Sequence, residues 1–323
     1  MSREPWEHIV CTQKDGIYES HYLKANSPDG TRGLWIKHNL LRPNNNEGIG
    51  EFWIILFEQG QPPQVAKRHV EWPGLSLDEK TIRIESQEIC LTPSKASGAI
   101  ADISWELSLS NAGPPLLHFP WDWMYTAGFP KKKAISPAPH LVFNGHITVG
   151  DSQWDISDWI GLRGHNWGRE HAHMYAYGNC HVWDDEQPRT VDGFSARIRI
   201  MRRFQSPLLS TIVARQPNIE LNRPRHWFGG ANVTPTSWTF NHGNTRLEMH
   251  AKQAEYAGLR YTHPDGQESY CYNTKFAAVK WTVGDQTFTS TQGELEVLFP
   301  EPLEGVALHP SADWNPKKGD YRG

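Results

Sequence analysis

Short runs of β-branched and aromatic residues recur along the chain, and Gly, Pro, Asn and Asp separate them. Such runs predict half-buried strands that end in turns. No stretch of about 12 residues has the spacing of an amphipathic helix. The pattern predicts an all-β protein made of barrels or sandwiches, of which closed barrels also hide strand edges and can enclose a ligand. The clearest predicted strands are residues 50–57, 81–91, 103–109, 194–201, 208–214 and 292–299.

Turn residues and prolines punctuate this pattern. Asp29-Gly30, Asp265-Gly266 and Asn218 predict tight turns. Residues 125–150 differ, because they combine several prolines with three consecutive lysines at 131–133. We predict a long crossing loop of the kind that covers a binding site, with the lysines at a solvated tip, followed by a strand over residues 140–149.

The chain has 323 residues, which is enough for two domains. A polar turn at residues 184–188 separates two strand-like segments, and we place the domain boundary there. The predicted division is an N-terminal domain of residues 1–185 and a C-terminal domain of residues 186–323. The segment after Pro300 is predicted to be an extended arm.

Charge and hydropathy exclude several classes of protein. A formal net charge of -4 gives no electrostatic reason to bind nucleic acid or an anionic membrane. No apolar run reaches the roughly 18 residues of a transmembrane helix, and residues 1–10 lack the pattern of an export signal. We therefore expect a cytoplasmic protein without an integral membrane segment. The four widely spaced cysteines are expected to be free thiols.

Aromatic and His residues are unusually abundant, with 15 Trp and 16 His, and they are densest from Trp159 to Asp184. If this segment forms strands, alternation places one large, hydrogen-bonding set on a single face, although a bend at Gly168 can shift the phase. We predict that this face lines an internal apolar cavity. It comprises the odd-numbered residues His165, Trp167, Arg169, His171, His173, Tyr175, Tyr177, Asn179, His181 and Trp183.

Imidazole, indole and phenol groups in an apolar cavity suit proton transfer and the stabilisation of a cation. The alternative is an ordinary buried hydrogen-bond network. His171 and His173 also have the spacing of metal ligands, with His165 or His181 as a third. However, no carboxylate follows them as it does in cupins, so we expect no metal.

The cluster Trp121-Asp122-Trp123 is a second candidate site for substrate binding. Burial between two indoles would raise the pKa of the carboxyl group and make it a proton donor, whereas a turn residue is the alternative. The Trp content also leaves carbohydrate binding open. A glycosidase would need two carboxylates across a cleft, and nothing in the sequence pairs the candidates Asp155, Asp158 and Asp184.

Residues 120–183 contain three distinctive strings. They are YTAGFPKKK at 125–133, Pro137-x-Pro139, and Gly-His-Asn-Trp-Gly at 164–168, with His171, Tyr175 and Gly178 following. Over this stretch the chain resembles the lipocalin-like carotenoid 1,2-hydratase (hydroxyneurosporene synthase) superfamily, which is similar to tocopherol-cyclase-like and pericyclase-like proteins.

The resemblance implies two consecutive lipocalin-like antiparallel β-barrel domains, with a hydrophobic ligand near their junction. It also implies acid-initiated addition of water to a double bond, without a metal or organic cofactor. The His-x-Trp pair of the hydratases matches His165 and Trp167. Their later Tyr-x-Asp pair is matched only by Asp192, because Thr190 stands in place of the Tyr.

We therefore predict a cofactor-independent hydratase or cyclase that acts on an isoprenoid or polyene, a hydrophobic small molecule, in an apolar cavity. The alternatives are a lipocalin-like carrier and a pericyclase that only orients its substrate, neither of which needs an acid. The candidate catalytic residues are His165, Trp167, Asp184 and Asp192. The candidate substrate-binding residues are His171, His173, Tyr175, Tyr177, Trp121, Asp122 and Trp123.

Overall fold

The computed structural model describes residues 8–12, 16–43, 48–78, 81–169, 172–201, 204–262, 267–311 and 320–322. Nearly all regular structure in these ranges is β-strand, and most of it forms two large, curled half-barrel sheets. The helical elements in these ranges are one short helix, α1 (Trp123–Thr126), and three 3₁₀ turns, Trp72–Gly74, Pro224–His226 and Gln253–Glu255.

The first sheet has 13 strands in the described ranges, and all of its pairings are antiparallel. Its members are β1 (Ile17–Asn26), β2 (Arg32–Arg42), β3 (Ile49–Glu58), β4 (Gln64–Glu71), β5 (Ser76–Leu77), β6 (Ile84–Glu85), β7 (Ile89–Leu91), β8 (Lys95–Ile100), β9 (Ile103–Ser110), β10 (Leu116–Leu117), β11 (Lys132–Val149), β12 (Ser152–Gly168) and β26 (Asp320–Arg322). The order is β26-β4-β3-β2-β1-β12-β11-β9-β8-β7-β6-β5, and β10 pairs with β11.

The second sheet has 11 strands in the described ranges. Its members are β13 (Met174–Cys180), β14 (Thr190–Arg197), β17 (Leu209–Arg215), β18 (Ile219–Leu221), β19 (Gly230–Thr234), β20 (Ser237–His242), β21 (Thr245–His250), β22 (Ala257–Thr262), β23 (Glu268–Val283), β24 (Gln286–Phe299) and β25 (Leu308–Ser311). The main path is β18-β17-β14-β13-β24-β23-β21-β20-β19, and β22 pairs with β23 and, in parallel, with β25. A separate hairpin joins β15 (Arg199–Met201) to β16 (Phe204–Gln205).

Three apolar clusters hold these sheets together. One is made almost entirely of first-sheet residues, such as Leu23 and Ile36. Another is made of second-sheet residues, such as Trp238. The third takes side chains from both sheets, including Trp35 of the first and Tyr261 of the second, so it forms their interface. Burial of these apolar surfaces is the main favourable term for the fold.

The predicted all-β fold class, with two lipocalin-like antiparallel barrel domains, is confirmed at the level of two curled half-barrel sheets. Most predicted strands are also present, as at β3, β9 and β17. The predicted strand over residues 81–91 is wrong in its continuity. Ser86 lies outside the strands, and its backbone N–H donates to the backbone oxygen of Ile89. This hydrogen bond closes a turn between β6 and β7.

The long crossing loop predicted at 125–140 is also wrong, because β11 begins at Lys132. Pro137 and Pro139 lie within two register shifts of this strand, between Ile135 and Leu141. Proline has no backbone N–H to donate to a neighbouring strand. Because the strand pairing is interrupted at these two bulges, no donor is needed there and both prolines fit within the strand.

The chain passes from the first sheet to the second between Gly168 and Met174. Strand β13 therefore lies in the second sheet, although the predicted division assigns it to residues 1–185. The segment after Pro300 contributes β25 to the second sheet and β26 to the edge of the first. The domain boundary at 185/186 stays a prediction, because sheet membership alone does not define a folding unit.

Two simpler expectations concern membranes and thiols. In the described part of the chain, no helix is long and apolar enough to cross a membrane. Cys11, Cys90, Cys180 and Cys271 are free, as the sequence predicted.

The strands of the first sheet approach one another closely at Gly161, and a substitution there tests this packing. It lies in β12 between Ala25 of β1 and Leu141 of β11, and a Cβ there would overlap the backbone oxygen of Lys24. We expect Gly161→Ala to lower the free energy of unfolding by at least about 2 kcal/mol in urea titration. The control is Gly230→Ala in β19, where a Cβ would make only ordinary contacts. Equal stability of the two variants would contradict this packing.

Candidate functional site

A cavity of about 420 Å³ lies between the two sheets, and we call it the central cavity. This volume is within the range of small-molecule sites. The first sheet and the segment before β11 contribute Tyr18, Ser20, Tyr22, Lys24, Trp35, Lys37, Asn39, Leu41, Phe119, Met124, Phe129, Pro130, Lys131, Lys132, Ala134 and Asn166. The second sheet and its connections contribute Ala172, Tyr175, Tyr177, Phe194, Ala196, Ile198, Leu209, Thr211, Trp227, Tyr261 and Glu296.

The central cavity has a mouth and a closed inner end. Phe129 and Lys131 are exposed, so they mark the mouth. Trp35 and Lys37 are only 2% and 4% exposed and mark the inner end. Charged groups therefore lie deep in the cavity as well as at its mouth, and the deep ones, Lys24 and Lys37, lie beside aromatic rings.

Strand alternation explains which side chains reach the central cavity. Tyr22 of β1 pairs with Lys37 of β2, and Lys24 pairs with Trp35, so these four point to the same side of the first sheet. Their neighbours, such as Leu23, point into the opposite core. The sheet thus has an apolar inner face and a polar, aromatic face toward the second sheet.

Lys24 joins the two sheets electrostatically. Its ammonium group pairs with Glu294 and lies 3.4 Å from Glu296, both on β24 of the second sheet. It also lies 4.7–4.9 Å from the ring centroids of Tyr22, Trp35 and Tyr177. Burial lowers the pKa of Lys24, and the carboxylate of Glu296 opposes that shift.

Lys37 and Lys132 are less well compensated. Lys37 donates to the Tyr261 hydroxyl at 3.0 Å and lies 4.7 Å from the Trp35 ring centroid. Lys132 lies 4.7 Å from the Tyr175 ring centroid. Among the described residues, neither ammonium group has a carboxylate within 4.0 Å. Burial lowers the pKa of both groups.

Glu296 is the carboxylate in the cavity lining. It accepts a hydrogen bond of 2.6 Å from the Tyr175 hydroxyl and one of 3.2 Å from the Asn273 amide. Burial raises its pKa, but the positive charge of Lys24 and the Tyr175 hydrogen bond outweigh burial and hold the pKa at about 2. Glu296 is therefore ionised at neutral pH and cannot serve as a ready proton donor.

Tyr177 presents a phenol near a second buried carboxylate. Its hydroxyl is buried and has no hydrogen-bond partner among the described residues. Burial, followed by the negative charge of Asp192, raises the pKa of Tyr177 well above its usual value. The group is therefore a protonated phenol at the cavity wall, with the hydroxyl groups of Tyr22 and Ser136 close to it.

Asp192 is fully buried on β14. It accepts a hydrogen bond from Ser136 and lies 3.5 Å from Nε2 of His118. Burial acts to raise its pKa, but the attraction of His118 and these hydrogen bonds outweigh burial and keep it below the usual value. Asp192 is not among the residues that line the central cavity.

A separate network lies on the inner face of the first sheet. Oε1 of Glu19 accepts from Nε2 of His165 at 2.8 Å and from Nε2 of His21 at 2.9 Å. The backbone N–H groups of Val10 and Cys11 also donate to this carboxylate. Burial lowers the pKa of His165 to about 3, so this ring is neutral at neutral pH.

The same three side chains are the metal-ligand cluster found among the described residues. Tetrahedral bonds of about 2.0–2.1 Å would hold neighbouring ligand atoms roughly 3.3 Å apart. The nitrogen–oxygen separations of 2.8 and 2.9 Å are those of direct hydrogen bonds, and backbone donors occupy further carboxylate sites. The residues therefore fit a hydrogen-bond network better than a metal centre.

The Gly-His-Asn-Trp-Gly string divides between the two faces of β12. His165 and Trp167 are buried on the inner face, where their rings stack at 4.4 Å. Asn166 faces the central cavity. A Cβ at Gly164 would overlap the Tyr22 ring, and one at Gly168 would overlap the Lys131 backbone oxygen, so both glycines permit close approach.

The odd-numbered residues of 165–183 therefore do not form one face. Tyr175 and Tyr177 of β13 line the central cavity, whereas His165 and Trp167 do not. The phase changes because the chain leaves the first sheet after Gly168. His173 is half-buried and donates its backbone N–H to Arg197, and His171 lies outside the described residues.

Three other predicted residues lie at the surface. Trp121 and Trp123 are 45% and 52% exposed, and their rings stack at 6.1 Å. Asp122 is exposed between them. Their neighbour Met124, not the Trp pair, lines the central cavity.

Asp184 is exposed and accepts a hydrogen bond of 2.7 Å from the Thr289 hydroxyl. It is not among the residues that line the central cavity. The catalytic roles assigned to His165, Trp167, Asp184 and Asp192 from the sequence stay predictions.

The predicted solvated lysine tip is wrong for two of its three residues. Strand alternation at the start of β11 turns Lys132 toward the central cavity and Lys133 to the other side. Lys133 is 6% exposed, and its ammonium group donates to the backbone oxygens of Ala127 and Pro130. It thereby anchors the segment that forms the mouth.

Sequence reasoning missed most of the charged lining. Lys24, Lys37 and Glu296 belong to no sequence motif, and their partners lie far away along the chain. A usable signal was present, since alternate positions in β1 and β2 read Tyr-x-Lys and Trp-x-Lys. A lysine on the same strand face as aromatic residues is the pattern of a buried cation over rings.

No family model matches the chain. Two proteins of Mycobacterium tuberculosis described only as uncharacterised, Rv0493c and MT0513, are each 21% identical over 287 residues. The match covers 83% of this chain and 82% of theirs. It shows an extended relationship without indicating an activity.

Solved structures share the architecture. An AttH-type protein of Nitrosomonas europaea has a TM-score of 0.56 at 12% identity, over 87% of this chain and 91% of its own. CghA has a TM-score of 0.53 at 7% identity, over 88% of each chain. Kievitone hydratase of Nectria haematococca has a TM-score of 0.50 at 10% identity, over 88% of each chain. These neighbours are lipocalin-like half-barrel proteins, and at such identities the likeness establishes the fold alone.

The pH dependence of stability tests the charge state of Glu296. Its pKa falls from 4.5 to about 2 on folding, so the ionised group contributes about 3 kcal/mol above about pH 5. Because the folded pKa is lowered, that contribution is lost as the pH falls toward 2. We expect the stability advantage of wild type over Glu296→Gln, measured in urea, to be largest at neutral pH and to shrink by more than half by about pH 3. An advantage that does not change with pH would contradict this charge state.

Proposed function

We propose that this protein is a cofactor-independent hydratase or cyclase that acts on an unsaturated, largely apolar small molecule in the central cavity. The observation that carries the proposal is a cavity lined mostly by apolar and aromatic side chains that also carries proton-bearing groups. Tyr177, Lys37 and Lys132 supply these groups, and each is a donor without a carboxylate contact in the described residues. The likeness in fold to kievitone hydratase supports the same class of reaction.

The charge of the cavity favours one type of intermediate. The ammonium groups of Lys37 and Lys132 create a positive electrostatic potential in the cavity. The charge of Glu296 compensates it only in part, because no described carboxylate contacts either lysine. Such a potential destabilises a carbocation and stabilises a developing oxyanion or enolate. We therefore favour addition of water, or ring closure, next to a carbonyl over protonation of an isolated alkene. An isoprenoid or polyene substrate remains part of the proposal where it carries such a carbonyl.

Tyr177 is the proposed proton donor. Its raised pKa keeps the phenol protonated, and its hydroxyl group can donate to a substrate oxygen. Asp192 is proposed to act as a positioning residue, because its charge acts on Tyr177 while it lies outside the lining. His165 and Trp167 would act indirectly, by holding in place the strand β12, which carries the cavity residue Asn166.

A carrier is the second candidate, together with a pericyclase that only orients its substrate. The observation in their favour is that Glu296, the carboxylate in the lining, is ionised and already ion-paired. Neither function needs a proton donor. Both would be insensitive to loss of the Tyr177 hydroxyl, which gives the following test.

The test compares Tyr177→Phe with wild type on kievitone and on a panel of α,β-unsaturated ketones and linear polyenes in deuterium oxide. We expect wild type to convert at least one compound to a product with carbon-bound deuterium. We expect the variant to lower kcat/KM by about tenfold or more, as loss of a general acid does.

The matched control is Tyr270→Phe, which removes a phenol at a half-buried site whose hydroxyl donates to the exposed Glu268. It should retain wild-type turnover. If wild type binds compounds of the panel without converting any, the carrier is supported. Conversion at equal rates by wild type and Tyr177→Phe would rule out the proposed donor.

A further inference from the structure

The inner end of the central cavity carries more buried cations than its own carboxylates can match. Lys24 and Lys275 contact Glu294 and Glu296 of β24. Lys37 has one hydrogen-bond acceptor in the part of the chain that the structure describes, the neutral Tyr261 hydroxyl, at 3.0 Å. An ammonium group in an apolar interior is costly unless a negative charge or several acceptors compensate it.

Lys132, on β11 of the same sheet as Lys37, adds a second positive charge to the cavity lining. Its ammonium group lies over the Tyr175 ring, and its charge is close enough to that of Lys37 for the two to repel. Aromatic faces offset part of the burial cost for both groups, but they supply no net negative charge. The lining thus holds two neighbouring lysines, Lys37 buried and Lys132 half-buried, and neither has a carboxylate within 4.0 Å among the described residues.

Neutral donors surround the same place. The Tyr177 hydroxyl is buried without a partner among the described residues. Asn166 also belongs to the lining, whereas the amide of the lining residue Asn39 already donates to Glu51. An oxyanion is the ligand group that satisfies ammonium and phenol donors together. A carboxylate, or the enolate of a β-dicarbonyl compound, has two oxygens that share one negative charge, which suits two neighbouring cations.

From this geometry we infer that the ligand of the central cavity is an apolar molecule with a carboxylate or acidic enol head, and that Lys37 and Lys132 bind this head. The apolar remainder extends toward the mouth at Phe129, and Phe119 and Met124 also line the cavity. This inference rests on the proposed function for the location of the ligand. It adds the chemical class of the ligand, because neither hydration nor cyclisation requires an acidic head group.

The experiment measures binding, so that it is independent of turnover. The probes are cis-parinaric acid, a fluorescent polyene carboxylic acid, and its methyl ester, titrated at neutral pH. We expect wild type to bind the acid at least about tenfold more tightly than the ester, because a charged hydrogen bond is lost in the ester. Lys37→Met and Lys132→Met should each remove most of that preference while leaving ester binding within about threefold of wild type.

The control is Lys280→Met on β23, which removes an exposed lysine and should retain the preference. Circular dichroism confirms that each variant is folded, and the comparison of acid with ester on wild type needs no variant. Equal affinity of wild type for the two probes, including no detectable binding of either, overturns the inference. Equal weakening of both probes in Lys37→Met and Lys132→Met also overturns it.

The outcome separates this inference from the proposed reaction. A preference for the acid without conversion of any compound in the turnover panel supports the head-group inference and contradicts only the hydratase or cyclase. Conversion of neutral compounds without any preference for the acid contradicts only the head-group inference.

Discussion

The contact between Lys24 of the first sheet and the carboxylates of Glu294 and Glu296 on the second determines much of this molecule. Each of these ions is almost completely removed from water, and burial of a single ion would cost several kcal/mol. The pair is stable only if the two sheets hold their relative position. The same contact keeps the inner end of the central cavity polar, because Glu296 is held there by Lys24 and by the Tyr175 hydroxyl. The relative position of the two sheets and the polarity of the cavity therefore depend on the same network of Lys24, Glu294 and Glu296.

A fold of two half-barrels facing each other explains why the cavity lies at the interface. Each sheet fills its own concave side with apolar residues, as the two separate cores show. The remaining faces meet around Trp35, Tyr175 and Tyr261, whose bulky rings leave space between them. Lysine side chains cross that space because their apolar stems pack on rings while their ammonium groups reach polar partners. Cavities of this kind suit ligands that are apolar over most of their length and charged at one end.

The sequence was informative about the fold because alternation and turn residues act locally. Strands such as β3 and β9 follow directly from their own residues, and the all-β class follows from many of them. The site was harder to predict, because the partners of Lys24 lie 270 and 272 positions away along the chain. The alternation rule also failed across Gly168, because the chain passes from the first sheet to the second there. Odd-numbered residues before Gly168 point into the core of the first sheet, whereas Tyr175 and Tyr177 point into the cavity. Tyr175 and Tyr177 were predicted as cavity residues for that segment, whereas Lys132 was predicted to lie at a solvated tip because it stands among three consecutive lysines.

The central claim is that Lys37 and Lys132 of the cavity lining hold the charged head of an apolar ligand. A crystal structure with cis-parinaric acid bound tests it most directly. The account predicts the carboxylate at the inner end, within about 3 Å of the ammonium group of Lys37 or Lys132, and the polyene running toward Phe129. A polyene bound in the opposite sense, with its carboxylate at the mouth beside Lys131 and its apolar end against Lys37, would contradict it.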